Sequence, residues 1–155
     1  MSPEIPRLLR TGMHGAVATG VMSVVFAVAR RRGAMPGKTP PRRIVAAVWP
    51  TAPRRSRAAL AVALHLGIGV GAAIGYRIVF RGAAGSPISA AARGIAHGLA
   101  TWAVGYCVVV PATGALSVAP RDRRDRQGML LLAHAVYGAT LGLLEHHVAE
   151  RAGRR

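Results

Sequence analysis

The sequence predicts an all-α membrane protein: a bundle of four membrane-spanning helices built as two helical hairpins in tandem, with a short interfacial helix in the first connection. Three observations lead there. Four stretches, 11–29, 58–76, 94–120 and 127–144, hold no charged residue. About twenty apolar residues rising about 1.5 Å each cross a hydrocarbon core of about 30 Å. The charges are gathered between these stretches, whereas a water-soluble bundle would carry charge every turn or so on its outer faces. Finally, a pattern of Arg, His and Gly recurs in the second half of the chain at the same spacing as in the first.

The elements follow in order. The first span is 11–29, stopped by Arg30, Arg31 and Arg32. Ala27-Val28-Ala29 resembles a leader cleavage site, but the apolar run is longer than a leader core and an Arg triplet behind it reads as stop-transfer. Residues 30–57 carry nine positive and no negative side chains. Within them, 39–49 predicts a short helix, with Thr39 as N-cap, Pro40 in the first position and Pro50 ending it. It would lie along the head groups, with Arg42 and Arg43 on phosphates and Trp49 at the interface. The second span is 58–76, the third 90–110 and the fourth 127–146. Basic residues number thirteen in connections 30–57 and 112–126 together and eight in the other polar segments. This bias predicts that both connections are cytoplasmic, in a multi-pass protein of the inner or plasma membrane.

The repeat aligns both hairpins. Arg10 precedes His14 and Gly15 as Arg93 precedes His97 and Gly98, and Arg57, His65 and Gly69 are spaced as Arg126, His134 and Gly138. A tandem repeat of two-helix units keeps its orientation, so the halves are expected to relate by a pseudo-twofold axis along the membrane normal. Small residues supply the packing: Gly67, Gly71 and Gly75 on the second span, Gly94 and Gly98 on the third, Gly138 and Gly142 on the fourth. Such ridges let helices approach closely where water cannot drive them together.

Net charge of +16 would suit nucleic acid. The arginines flank apolar runs, however, and the few aromatics sit mostly inside them, so the expected partner is the lipid bilayer and not nucleic acid. Self-association or docking on a larger membrane complex fits the small-residue ridges. The single Cys107 excludes an internal disulfide and a thiolate metal site, and is read as a small apolar filler. No nucleophile triad, phosphate loop or carboxylate pair is present, so no catalytic residues, no resident metal and no enzyme activity are expected.

The imidazoles carry what chemistry there is. His14, His65, His97 and His134 fall inside spans and must face the bundle interior. Tyr76 and Glu145 each follow a histidine, His65 and His134, by eleven residues, close to three turns, and so reach the level of His14 and His97. Glu145 could bond one of these, giving a polar path. Alternatively His65 and His134, at equal depth, could ligate a b-type haem, with Gly69 and Gly138 making room for the ring.

Residues 15–23 (Gly-Ala-Val-Ala-Thr-Gly-Val-Met-Ser), His65 in its glycine-rich run, residues 98–102 (Gly-Leu-Ala-Thr-Trp) and residues 134–142 (His-Ala-Val-Tyr-Gly-Ala-Thr-Leu-Gly) resemble the YagU-type family of small bacterial inner-membrane proteins. The resemblance implies a polytopic bacterial membrane protein without assigning it a mechanism. The expected role is therefore a non-enzymatic scaffold, accessory subunit or small transport-related component; the alternative is a haem b-binding redox subunit.

Overall fold

The computed structural model describes residues 4–34, 39–109, 112 and 124–154. Among them the chain is helical with no strand: α1 (Glu4–Arg31), α2 (Pro40–Val48), α3 (Arg54–Val79), α4 (Pro87–Val104) and α5 (Arg124–Gly153), with α4 passing into a π-helical turn, Gly105–Val109. Three helices, α1, α3 and α5, are long and apolar enough to cross a membrane. The α1 and α5 helices outrun their predicted spans at both ends, because their flanking polar residues continue the helix. The π turn extends the 18-residue α4 through Val109. Most of the basic connection 112–126 lies outside the described residues.

Local chemistry marks the helix starts. Pro40 and Pro87 each stand in a first turn, where no backbone N–H is needed. The Ser86 hydroxyl accepts from the Ser89 amide at 3.3 Å, so α4 has a side-chain cap. The expected Thr39 cap is different: Thr39 occupies the N-cap position of α2 but its side chain makes no capping bond. Along α2, Val45 is buried against the bundle while Trp49 is exposed, as are Arg42 and, at the end of α1, Arg30 and Arg31 with Arg32 just after them.

Two antiparallel pairs form the bundle, α1 with α3 and α4 with α5. Both close on glycine. A Cβ on Gly94 would fall on the Gly138 carbonyl, one on Gly98 on the His134 carbonyl, and one on Gly142 on the Ala90 carbonyl. A Cβ on Gly15 would lie 2.7 Å from the Gly69 carbonyl and from Ala73 Cβ. These backbones therefore touch only because the residues lack side chains.

The packing face of α3 differs from expectation. Gly67 and Gly71 have open space around them, and a Cβ on Gly75 would reach only His97, at 3.8 Å. Gly69 and Ala73 are buried instead. Small residues alternate from 67 to 75, so spacing admits two ridges, and two residues turn a helix by about 200°, nearly to its opposite face. Thr19 decides between them by seating its side chain directly on Gly69. Cys107 also departs from expectation: it is exposed and fills no gap in the core.

The two pairs join along α1 and α5, where Ala18, Met22 and Phe26 pack with Leu130, Ala133, Tyr137 and Leu141. The Tyr137 hydroxyl crosses the bundle and donates to the Gly69 carbonyl at 2.6 Å. By contrast α3 and α4 touch at few points.

Candidate functional site

The open seam between α3 and α4 holds three of the four histidines singled out by the sequence, His65, His97 and His134. A cavity of about 480 Å³ there is an apolar cleft. It is lined by His65, Ile68 and Ala72 of α3, by His97 to Val109 of α4 and its π turn, and by Leu130 and His134 of α5; Met22 and Phe26 form its back, and Pro40, Pro41 and Ile44 of α2 close one end.

The histidines take different partners. His134 Nδ1–H donates to the Leu130 carbonyl one turn earlier, at 2.8 Å. His97 Nε2–H donates to the Ala72 carbonyl across the seam, at 2.8 Å. Since a carbonyl can only accept, each bond fixes a tautomer and leaves the other ring nitrogen as an acceptor. His65 shares the cleft with His134, within electrostatic reach of it, and its ring lies 6.4 Å from that of Phe26.

His14 does not enter this cleft. On the opposite seam its Nδ1–H donates to Glu145 Oε1 at 2.6 Å, with both side chains mostly buried. Glu145 Oε2 lies 3.9 Å from Arg77. The carboxylate is thus held between an imidazole and a guanidinium, the arrangement a charge needs when withdrawn from water.

Beyond the cleft, at the end of the bundle remote from α2, is a polar vestibule of about 420 Å³ lined by Tyr76, Arg77, Arg81, Arg93, Glu145 and His146 among others. Between vestibule and cleft stands an aromatic partition. The rings of Tyr76 and His97 meet edge to face at 5.4 Å, and Phe80 stacks at a tilt on Tyr76 at 4.9 Å. At the α2 end a third, smaller cavity of about 200 Å³ shares His65 and Phe26 with the cleft and is lined by Arg30 and Arg42. The cleft thus borders the vestibule where Tyr76 meets His97, and shares Phe26 and His65 with the cavity beside α2.

Gly69 and Gly138 do not make room for a flat ring in the cleft. Gly69 is filled by Thr19, and Gly138 by the Gly94 backbone. The space beside the histidines comes from Ala72, Ala100 and Gly105 instead. Residues missed in the sequence are Tyr137, whose hydroxyl ties α5 to α3, and Arg93, read there only as a repeat marker. An apolar run containing one tyrosine gives no sign of which backbone carbonyl the hydroxyl will reach. Among the described residues no group of three or more His, Cys, Asp or Glu is placed to hold a metal ion.

Compared with known protein families, with curated proteins and with solved structures, the chain matches none.

Proposed function

We propose that the protein is a four-span, non-enzymatic membrane component of the transport-related kind, built from a duplicated hairpin, with its path along the α3/α4 seam. The α4 helix with its π turn is the fourth span: Pro87 to Val109 is 23 residues, enough at about 1.5 Å each to cross about 30 Å. Duplication is supported by equivalent contacts. Gly15 meets Gly69 as Gly98 meets Gly138, and His14 meets Glu145 as His97 meets Tyr76. The resemblance to YagU-type proteins agrees with this architecture and with a bacterial inner membrane. The basic bias of 30–57 puts α2 on the cytoplasmic side.

The observation that carries the reading is that the α3/α4 cleft borders the polar vestibule at Tyr76 and His97 and shares Phe26 and His65 with the cavity beside α2, so that these side chains are read as partitions. Side chains change rotamer far faster than helices move, so partitions of this kind can open without rearranging the bundle. The test is thiol labelling in a Cys107→Ser background. Ala100→Cys, in the cleft, should react with a small hydrophilic thiol reagent, while lipid-facing Val24→Cys should not. Adding Ala72→Leu should fill the cleft and protect position 100. Equal inertness of both cysteines would mean that the cleft is not an aqueous path.

A second reading has its own observation. The His134 Nδ1–H bond to the Leu130 carbonyl leaves Nε2 free as a ligand, the orientation that metal-bound imidazoles commonly have. With His65 in the same apolar cleft, the donor set fits a b-type haem, which would supply one-electron transfer. Purified protein would then show a Soret band, lost in His134→Ala; colourless protein after expression with added haem precursor would dispose of this reading.

A further inference from the structure

The vestibule carries a second inference, independent of whether the cleft conducts. Three guanidinium groups line it, those of Arg77, Arg81 and Arg93, together with Tyr76, His146 and the carboxylates of Glu145 and Glu150. Both carboxylates are already engaged. Glu145 is shared between His14 and Arg77, and Glu150 between Arg154 and His146. Arg81 reaches out to Glu4 at 3.2 Å.

Arg93 is left without an anion. Its Nη1 meets two neutral acceptors at long range, the Ala84 carbonyl at 3.3 Å and the Ser89 hydroxyl at 3.4 Å. Its Nε is buried with no hydrogen-bond partner, and no carboxylate among the described residues pairs with it. The Tyr76 hydroxyl is its other polar neighbour. A half-buried guanidinium whose Nε is cut off from water and whose bonds go only to neutral groups is under-satisfied, and an oxyanion that accepts from it relieves that cost. Backbone geometry supports the opening: Gly82 and Gly85, at φ 74° and 143°, turn the α3–α4 connection around the vestibule and keep bulky side chains out of its rim.

We propose that this vestibule is an oxyanion site that takes a phosphate group on Arg93, with Arg77 and Arg81 beside it and the Tyr76 hydroxyl as an additional donor. Guanidinium forks match phosphate oxygens in geometry, and an excess of cations over uncommitted carboxylates favours a group of about two negative charges. Because the site lies at the end of the spans, both a free anion and a lipid head group can supply the phosphate.

Two probes separate these sources. Inorganic phosphate is titrated calorimetrically into protein in uncharged detergent. In parallel, thermal unfolding is compared in nanodiscs of phosphatidylcholine alone and of phosphatidylcholine with phosphatidic acid. Binding of inorganic phosphate that weakens about tenfold or more in Arg93→Gln supports a free-anion site. Stabilisation by phosphatidic acid alone, lost in Arg93→Gln, supports a head-group site. Arg30→Gln, at the other end of the bundle, should leave either signal intact. If Arg93→Gln fails to fold, Arg77→Gln and Arg93→Lys take its place; the lysine keeps the charge but not the fork and should bind more weakly. Failure of both probes to bind the parent protein, or equal binding by parent and folded Arg93 variants, would overturn the proposal.

Discussion

The two seams between the helical pairs are equivalent by repeat and opposite in outcome. Along α1/α5 the helices pack, and His14 is bonded to a carboxylate; along α3/α4 they part, and His97 faces a ring and a backbone carbonyl. Aligned on the paired histidines, the difference is one of side-chain volume. Leu130, Tyr137 and Leu141 of α5 correspond to Ala61, Ile68 and Ala72 of α3, and Met22 of α1 to Gly105 of α4. Large side chains fill one seam, and smaller ones leave about 480 Å³ in the other. In lipid no hydrophobic pressure closes such a gap, because acyl chains solvate apolar surface as well as leucine does. On the proposed duplication, two like interfaces diverged in side-chain volume, one into a packed joint and the other into an open cleft.

Substitutions can break or sharpen this contrast. The largest effect is expected within a glycine contact. Gly138→Leu drives a side chain into the Gly94 backbone and should cost about 3 kcal/mol or more, read as loss of the folded state in a detergent unfolding titration. On the closed seam, Glu145→Gln removes the ionic partner of His14 and should cost about 1.5–3 kcal/mol. The double variant with His14→Ala should cost less than the sum of the two singles, because the groups are coupled. On the open seam Tyr76→Phe keeps the ring contact with His97, gives up only the hydroxyl beside Arg93, and should cost about 1 kcal/mol or less. If Tyr76→Phe proves as costly as Glu145→Gln, the seams do not differ as described.

Smaller effects concern the ties. Tyr137→Phe loses the 2.6 Å bond to the Gly69 carbonyl and should cost about 1 kcal/mol. Gly71→Ala meets nothing within 4 Å, so its effect should be a stabilisation of about 0.5–1 kcal/mol from helix propensity alone. The same change at Gly69, where Thr19 sits, should destabilise. That pair tests the choice of ridge on α3 two residues apart.

Much of the architecture was legible without coordinates. Three of the four charge-free runs mark helices long and apolar enough to cross a membrane, Pro40 and Pro87 mark helix starts, and the level of Glu145 follows from its eleven-residue spacing behind His134. The glycines of α4 and α5 were legible as well, since neither helix offers a competing ridge of that length. What spacing could not supply is rotation. A small residue at every second position from 67 to 75 leaves the packing face of α3 undetermined, and Tyr137 gives no hint of the carbonyl it crosses the bundle to reach.

Taken alone, the order of residues determined that the chain is helical, apolar enough to enter a membrane, and punctuated by imidazoles within its apolar runs, since these depend on local hydropathy and on the fixed rise of a helix. Which seam closes, which histidine meets Glu145 and where Arg93 is left without an anion were decided only by tertiary structure. Those outcomes depend on how each helix is turned about its axis, and that angle is set by volumes meeting between helices distant in sequence.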